Sequence, residues 1–185
     1  MNRLLNKIAV VTGANSGMGK ATARALLDEG ATVIMLCRSE ERGQKAYKEL
    51  IKDGNSRTYM ILCDLGDYDS VRNFARQVKE RFGRLDILVN NAGFISLDRQ
   101  ETKEGIERQF GINHLGHFLL TMELLDLMGE GSRIVNVASG AHKTGKIHFD
   151  DINLHHGFNV VKAYSQSKLA KRLFEYSNEL TGRGM

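Results

Sequence analysis

Proline is absent from this 185-residue chain, and only two cysteines occur in it. Proteins that rely on a disulfide framework carry more cysteines and fold in oxidising compartments. Cys37 and Cys63 each end an apolar run, where a small buried filler is the usual role of a free cysteine. The scarcity of cysteine therefore excludes a disulfide framework and favours a reducing compartment.

Long apolar runs and basic tracts are missing as well. No stretch approaches the ~20 apolar residues of a membrane-spanning helix, and no signal peptide is recognisable. The net charge is only +4, and the basic residues are spread along helices instead of forming a tract. These absences predict a cytoplasmic protein with no transmembrane segment and no nucleic-acid partner, unless an anchor lies outside this sequence.

What the chain does contain is a regular alternation of strand and helix patterns. Short apolar runs with β-branched residues predict strands, and the amphipathic stretches between them predict helices. The predicted strands are 8–12, 32–37, 58–63, 86–90 and 133–137, and the predicted helices are 18–29, 40–53, 68–82, 102–128 and 162–181. Asp67 is a candidate N-cap of the helix at 68–82. This alternation predicts one α/β domain over 1–185, a three-layer, Rossmann-like, doubly wound parallel sheet with helices on both faces.

A glycine-rich turn joins the first strand to the first helix. Its residues, Thr-Gly-Ala-Asn-Ser-Gly-Met-Gly, occupy 12–19 with the spacing Gly-x-x-x-Gly-x-Gly. Glycines let the backbone approach a diphosphate closely, and a helix N-terminus offers N–H donors and partial positive charge. The turn therefore predicts a nucleotide site, although three glycines can also serve packing alone. The predicted cofactor-binding residues in it are Gly13, Asn15, Ser16, Gly17, Met18 and Gly19.

The end of the second strand bears on which dinucleotide binds. NAD sites commonly place a carboxylate there for the ribose hydroxyls. This chain has Arg38 instead, with no acidic residue before Glu40. A guanidinium can pair with a 2′-phosphate through its planar fork. Arg38 therefore predicts NADP (NADPH) as the cofactor, with NAD less favoured, and an ordinary surface charge is the alternative interpretation.

Tyr164 and Lys168 are four residues apart in a predicted helix, so their side chains share a face. A cation beside a tyrosine favours the phenolate and lowers the tyrosine pKa from about 10 toward neutral. Such a pair can donate and accept a proton near physiological pH. Together with the glycine-rich turn and with Ser139, just past the fifth strand, the pair predicts an enzyme.

The order and spacing of these motifs resemble those of the classical short-chain dehydrogenases/reductases. The resemblance rests on the glycine-rich turn, on Asn-Asn-Ala-Gly at 90–93, and on Asn113, Ser139 and the Tyr164–Lys168 pair. It covers essentially the whole chain, and the joint occurrence of the motifs is specific although each alone is not.

Finer matches resemble the retinol dehydrogenase-like branch of that family. They lie at 113–121, 133–137 and 163–170. That branch mostly prefers NADP and acts on apolar alcohols, aldehydes and ketones. The resemblance therefore implies an NADP(H)-dependent oxidoreductase that moves a hydride between nicotinamide and a small apolar carbonyl or alcohol.

The resemblance also implies a role for each matched residue. Tyr164 would exchange a proton with the reacting oxygen, and Lys168 would lower the tyrosine pKa and hold the nicotinamide ribose. Ser139 would hydrogen-bond the reacting oxygen, and Asn113 would anchor a water in a proton path. The further implied cofactor contacts are Asp64 and Leu65 on the adenine side, and Asn90, Ala92 and Gly93 beside the adenosine ribose. Taken singly, each residue could instead be a cap or a turn residue.

Partners and metals are less well specified. In the resembling family, the long helix after the fourth strand and the helix with Tyr164 pack against other subunits, which implies a homodimer or homotetramer. The apolar stripes at 123–128 and at Leu169, Leu173 and Phe174 could serve this purpose or could simply cover the sheet. A metal site is not predicted, because His114 and His117 lack a third ligand.

Family members continue beyond the stretch that these 185 residues match, with a proline-containing loop, a substrate lid and further strands. The absence of proline agrees with a chain that lacks this C-terminal part. We therefore also consider a second function, a nucleotide-binding module with little turnover that acts as a redox sensor or scaffold.

Overall fold

The computed structural model of the protein describes residues 2–52 and 56–180, and its sheet has five parallel strands. The strands are β1 (Ile8–Thr12), β2 (Thr32–Cys37), β3 (Thr58–Leu62), β4 (Ile87–Asn90) and β5 (Arg133–Asn136). Their order across the sheet is β3-β2-β1-β4-β5. The chain starts at the centre, builds to one edge and then builds to the other, so a crevice is expected where the order reverses, between β1 and β4.

Helices cover both faces of this sheet. The α-helices are α1 (Gly17–Asp28), α2 (Glu40–Ile51), α3 (Tyr68–Phe82), α4 (Arg108–Phe110), α5 (His117–Leu124) and α6 (Val160–Leu180). A π-helix, Gly111–Gly116, joins α4 to α5, and 3₁₀ turns lie at Leu125–Leu127, Gly140–Thr144 and Phe149–Asp151. The predicted end of the second helix at residue 53, and that of the last helix at residue 181, lie outside the described residues.

Two apolar cores, one on each face, hold the layers together. Neighbouring residues of a strand point to opposite faces, so β1 places Val10 in one core and both Ala9 and Val11 in the other. Phe74 of α3 packs in the first core, and Leu27 of α1 packs in the second. The predicted three-layer, doubly wound α/β fold is confirmed.

Local capping explains why α3 spans the predicted residues. Asp67 Oδ1 accepts hydrogen bonds from Asp69 N at 3.0 Å and from Ser70 N at 3.1 Å, which satisfies N–H groups of the first turn. Gly83, in the left-handed conformation with φ of 66°, ends the helix. The sequence contains both signals, and the predicted Asp67 cap is confirmed.

The long helix predicted from residue 102 to residue 128 is wrong at its start. Residues 102–107 form a turn instead, in which Thr102 N donates to the carbonyl oxygen of Ile106 at 2.8 Å. The helical segment begins only at Arg108, because the buried Glu107 carboxylate accepts from Gln109 N at 2.9 Å and from Phe110 N at 2.8 Å. Burial also raises the pKa of the Glu107 carboxyl group.

The apolar stripe at 123–128 mostly covers the sheet. Leu124 is fully buried in the core, and Leu127 and Met128 pack against the same cluster. The side chains of Leu173 and Phe174, in the second predicted stripe, lie outside the described residues. Within the part of the chain that the structure describes, no helix combines the length and the apolar character that crossing a membrane requires.

Candidate functional site

A cleft of about 520 Å³ opens at the carboxyl ends of the parallel strands. Segments that follow β1, β2, β3 and β4 all contribute to its walls, as expected at the reversal of a doubly wound sheet. Most of the predicted cofactor-binding residues line it: Gly13, Asn15, Ser16, Gly17, Met18, Gly19, Arg38, Asp64, Leu65, Ala92 and Gly93.

The glycine-rich turn forms one wall, and its glycines are required by close contacts. A methyl group on Gly19 would lie 2.5 Å from Asn91 Nδ2 and 2.5 Å from the carbonyl oxygen of Gly13. Gly13 itself has a φ of 67°, and a methyl group on it would lie 3.1 Å from Ala92 Cα. The turn is therefore pressed against the segment after β4, and only glycine fits at either position.

Two polar side chains of this turn, those of Asn15 and Ser16, line the cleft and have no hydrogen-bond partner among the described residues. Ser16 is the N-cap residue of α1, but its hydroxyl makes no capping hydrogen bond. Asn15 likewise makes no side-chain hydrogen bond with any residue that the structure describes. The first N–H groups of a helix also lack intrahelical acceptors. The donor set and the glycine cradle thus fit the diphosphate of a dinucleotide.

Two arginines and an aspartate lie on the far wall, at the ends of β2 and β3. Arg38 and Arg42 line the cleft together with Asp64. Asp64 Oδ1 accepts from Gly66 N at 2.9 Å, which holds the turn after β3 in place. Arg42 was not predicted from the sequence, although it lies only four positions beyond Arg38, in the first turn of α2, and the same charge argument applies to it.

Thr12 connects the glycine-rich turn to the opposite wall. Its hydroxyl accepts from Asn91 N at 2.9 Å and from Ala92 N at 2.8 Å, and its carbonyl oxygen accepts from Asn91 Nδ2 at 2.8 Å. These three bonds fix the backbone after β4. Asn91 and Ala92 therefore reach the cleft in one defined position.

His117 extends this connection to Asn113. Its Nδ1 lies 3.3 Å from the carbonyl oxygen of Asn113, and because a carbonyl only accepts, Nδ1 carries the proton. Nε2 then accepts the hydroxyl proton of Thr12 at 3.0 Å. The ring is 2% exposed, and burial holds its pKa well below the usual value. His117 is therefore a neutral bridge between the first strand and the π-helix.

Asn113 is fully buried at the third position of the π-helix. Its Oδ1 accepts from Phe94 N at 2.7 Å, and its Nδ2 donates to Phe94 O at 2.9 Å and to Ser167 Oγ at 3.0 Å. π-Helical turns often occur at functional sites. All the hydrogen-bonding capacity of its side-chain N–H₂ group is used by protein, so Asn113 holds the cleft wall against α6.

Tyr164 and Lys168 share one face of α6, as predicted. The ammonium of Lys168 lies 5.5 Å from the centroid of the Tyr164 ring. Lys168 is 3% exposed, and burial lowers its pKa. It makes no hydrogen bond or ion pair with the residues of the described ranges, whereas a methyl group on the cleft residue Gly93 would lie 3.9 Å from its Nζ. A buried cation without a protein counter-ion thus lies beside the cleft.

Ser139 stands at the carboxyl end of β5 and begins the 3₁₀ helix Gly140–Thr144. Its Oγ accepts a long hydrogen bond from Ala141 N, at 3.3 Å. This 3₁₀ helix packs on α6, and a methyl group on Gly145 would lie 2.5 Å from the carbonyl oxygen of Ser165. The fold therefore brings Ser139 to the helix that carries Tyr164.

Three predicted cofactor contacts do not line the cleft: Tyr164 and Lys168, described above, and Asn90, whose side chain is directed into the core. Asn90 is fully buried, and its Nδ2 donates to Thr121 Oγ1 at 3.1 Å and to Asn136 Oδ1 at 2.8 Å. Its carbonyl oxygen accepts from the buried Lys171 Nζ at 2.7 Å. Asn90 does not line the cleft, and its neighbour Asn91 does.

Several lining residues were missed by sequence reasoning. Besides Arg42 they are Leu36, Cys63, Asn91, Phe94, Ile95 and Ile112. Leu36 and Cys63 are at or just beyond the carboxyl ends of parallel strands, a position that could have identified them. Ile112 carried no such signal, because it enters the cleft from the π-helix.

His114 and His117 both have structural roles. His114 packs between Phe110 and Phe118, with ring centroids 5.3 Å and 6.4 Å away, and burial lowers its pKa to about 4. His117 makes the bridge described above. In the described ranges, no group of three or more His, Cys, Asp or Glu side chains could hold a metal ion.

Comparison with known proteins identifies the family. A family model described as short chain dehydrogenase matches residues 7–179. Human retinol dehydrogenase 11 is 43% identical over 188 positions, which cover 99% of this chain and 59% of the relative. Human retinol dehydrogenase 13 is 44% identical over 185 positions, covering 97% and 56%. The chain thus spans less than two thirds of the length of these curated relatives.

Solved structures share the fold. An uncharacterized protein from Mycobacterium paratuberculosis is similar with a TM-score of 0.85 at 40% identity, over 98% of this chain and 65% of that one. The RhlG protein of Pseudomonas aeruginosa, solved as an NADP active-site complex, is similar with a TM-score of 0.76 at 29% identity, over 98% of this chain and 70% of that one.

Proposed function

The chain belongs to the short-chain dehydrogenase family, and on that premise we propose an NADP(H)-dependent oxidoreductase that acts on an apolar alcohol, aldehyde or ketone. The observation that carries the proposal is the buried Lys168 ammonium, 5.5 Å from the Tyr164 ring and beside the cleft residue Gly93. Burying a cation without a protein counter-ion is costly, so such a group usually serves a ligand or a reaction.

Tyr164 is the proposed acid and base. During reduction its hydroxyl donates a proton to the substrate carbonyl oxygen, and during oxidation its phenolate accepts the alcohol proton. The Lys168 cation, on the same helical face, stabilises the phenolate. When bound, the nicotinamide supplies or accepts the hydride. Since no described residue accepts a hydrogen bond from Lys168 Nζ, its N–H groups can also hold the ribose hydroxyls.

Ser139 and Asn113 complete the proposed set. Among the described residues, Ser139 Oγ is engaged only by a long bond from Ala141 N, so it can donate to the reacting oxygen and stabilise its developing charge. Asn113 positions the site by binding Ser167 on the helix of Tyr164 and Phe94 on the cleft wall. The water that family resemblance attaches to Asn113 remains part of the proposal.

NADP is the proposed cofactor because Arg38 lines the cleft where NAD sites favour a carboxylate. The glycine-rich turn would hold the diphosphate, and Asp64 with Leu65 would lie at the adenine. The solved RhlG–NADP complex has a similar fold and supports this assignment.

An apolar substrate is supported by Ile95, which lines the cleft and is 60% exposed, and by the names of the retinol dehydrogenase relatives. A cytoplasmic location and a homodimer or homotetramer stay predictions.

Hydride transfer from NADPH to a panel of apolar aldehydes and ketones, followed by the absorbance of reduced nicotinamide, tests the proposal. We expect turnover with NADPH to exceed turnover with NADH. Tight NADPH binding without any turnover across the panel would contradict the enzyme function and favour the nucleotide-binding module.

A further inference from the structure

Lys171 is a buried cation of α6 to which neither a sequence motif nor the family resemblance assigns a role. It lies seven positions after Tyr164 and three after Lys168, so the three side chains share one face of the helix. Lys171 is only 2% exposed. Taking an ammonium group out of water is costly, so a lysine at such a position is expected to make a specific contact.

That contact is with the backbone of Asn90, the last residue of β4. The carbonyl oxygen of Asn90 accepts from Lys171 Nζ at 2.7 Å and from the backbone N–H of Val137 at 3.1 Å. Val137 directly follows the last residue of β5. A single oxygen atom therefore joins α6 to the carboxyl ends of two neighbouring strands.

Each of the three joined elements leads to a part of the proposed active site. The cleft residues 91–93 directly follow β4, and Ser139 comes three residues after the end of β5. The third element, α6, carries Tyr164 and Lys168. The contact made by Lys171 thus lies at the point where the spacing between Ser139 and Tyr164 is set.

We propose that Lys171 is a positioning residue for the reaction, which holds α6 to the ends of β4 and β5 and so fixes the spacing of Tyr164 and Ser139. This inference rests on the proposed function. Two side chains that act on one reacting oxygen have to be held in place, since a displacement of about 1 Å can cost about 10²-fold in rate. Lys171 does not line the cleft, and it acts through the Asn90 carbonyl group.

The test compares wild type with Lys171→Met, which removes the N–H donors and keeps an unbranched side chain. The Asn90 carbonyl oxygen still has the N–H of Val137 as a donor in this variant. Lys162→Met makes the same change at a half-buried position in the first turn of α6 and is the matched control. Lys171→Gln is a second substitution at the site, and circular dichroism shows whether each variant is folded.

For Lys171→Met we expect kcat for reduction of an apolar aldehyde by NADPH to fall about 10- to 100-fold. Kd for NADPH should stay within about 3-fold, because the bonds between Thr12 and the segment after β4 are unchanged. Lys162→Met should keep both values. A wild-type kcat in folded Lys171→Met, or an equal loss in Lys162→Met, would overturn the proposal. An equally large loss of NADPH affinity would do so too, because it would indicate general damage to the cleft.

Amide hydrogen exchange of the protein without cofactor is a readout that does not depend on activity. In Lys171→Met, residues 91–94 and 137–142 should exchange about 10-fold faster, the effect of one lost hydrogen bond, while β2 and β3 keep their wild-type rates. Unchanged rates in the two segments, or a uniform increase across the sheet, would contradict a local positioning role. If neither variant at position 171 folds, Lys171 is required for the fold itself and the proposal is wrong.

The wild-type protein distinguishes these failures from failure of the proposed function. If wild type binds NADPH but reduces no aldehyde or ketone, the proposed function is wrong and Lys171 has no reaction to position. If wild type turns over and Lys171→Met matches its kcat, only the role of Lys171 is wrong.

Discussion

The glycine-rich wall of the cleft and the segments that follow β4 and β5 meet different physical demands. On the glycine-rich wall, Gly19 leaves no space for a methyl group, Gly13 has a left-handed conformation with φ of 67° that side chains rarely adopt, and the backbone itself forms the surface. In the segments after β4 and β5, the apolar side chains of Ile95, Leu97 and Phe149 are largely exposed. A phosphate demands fixed backbone N–H groups, whereas an apolar ligand demands only area, so the first region tolerates fewer sequences than the second.

Hydrogen bonds connect the two regions. Thr12 belongs to the glycine-rich wall, and Asn113 reaches α6 through Ser167. His117 joins Thr12 to Asn113 by one hydrogen bond to each. A substitution in the glycine-rich wall should alter nucleotide binding, and one in the segments after β4 and β5 should alter turnover. A substitution at His117, which connects the two regions, should alter the stability of the protein.

Tyr164→Phe should give the largest effect. It removes the proposed proton donor and leaves the ring in place, so kcat for carbonyl reduction should fall about 10²- to 10⁴-fold. Affinity for NADPH should stay within about 2-fold, because the glycine-rich wall is untouched. Steady-state kinetics and a nucleotide titration measure the two quantities, and Tyr47→Phe on α2 is the control. Undiminished reduction by the Tyr164 variant would refute the catalytic assignment.

Gly19→Ala acts on the other region. The added methyl group would lie 2.5 Å from Asn91 Nδ2 and from a backbone oxygen, which should destabilise the fold by about 1–3 kcal/mol. It should also abolish dinucleotide binding, since the cradle has to shift. Urea unfolding and nucleotide titration measure both effects. Gly129→Ala, where a methyl group would meet nothing within 4 Å, should change neither; equal behaviour of the two variants would show that the cradle is not tight.

Arg38→Asp tests whether the nucleotide-binding part of the cleft prefers NADPH to NADH through this guanidinium. A carboxylate would repel the 2′-phosphate and accept from the ribose hydroxyls of NAD. The ratio of kcat/KM for NADPH to that for NADH should fall by about 10- to 100-fold, the range of one or two charged hydrogen bonds. Arg57→Asp, just before the amino end of β3 and thus at the opposite end of the strands from the cleft, should leave the ratio unchanged. An unchanged ratio in the Arg38 variant would mean that this guanidinium is an ordinary surface charge.

The glycine-rich wall, where the backbone forms the surface, was also the part of the cleft that could be predicted from the sequence. The glycine spacing and the Asp67 cap act within a few residues, so local reasoning identified the turn and the bounds of α3. The start of the helical segment at Arg108 escaped prediction, because Glu107 acts as its cap only where burial and a hydrogen bond from its backbone N–H to Asn153 Oδ1, at 3.1 Å, hold it. Tertiary contacts of this kind leave no local pattern.

The connection between the regions was hidden for the same reason. His117 was not predicted to bind a metal, but its actual hydrogen-bonding role depends on Thr12, 105 positions away in the chain. Asn90 was assigned to the cofactor from the family motif, yet its side chain turns into the core. Which of two adjacent asparagines reaches the cleft is decided by the strand register, which sequence spacing alone does not specify.

The smallest expected effect concerns His117, which connects the two regions, and it is a pH dependence of the free energy of unfolding. Burial lowers the pKa of His117 well below 6.5 and that of His114 to about 4, so both are neutral when folded at pH 5 to 6.5. The unfolded chain binds more protons in that range, and stability must therefore fall as pH falls below about 6.5. Each histidine contributes a slope of about 1.4 kcal/mol per pH unit.

Urea unfolding of wild type and His117→Gln between pH 7.5 and pH 5 measures this slope. The variant should lose about half of the histidine contribution, while the exposed His156→Gln should keep the wild-type slope. Glu107 opposes the trend, because its raised pKa makes the folded state bind a proton more readily as pH falls, but it is common to all three proteins and cancels in the difference. Identical slopes in wild type and His117→Gln would mean that His117 is protonated in the folded protein, and a charged ring cannot accept the Thr12 hydroxyl proton.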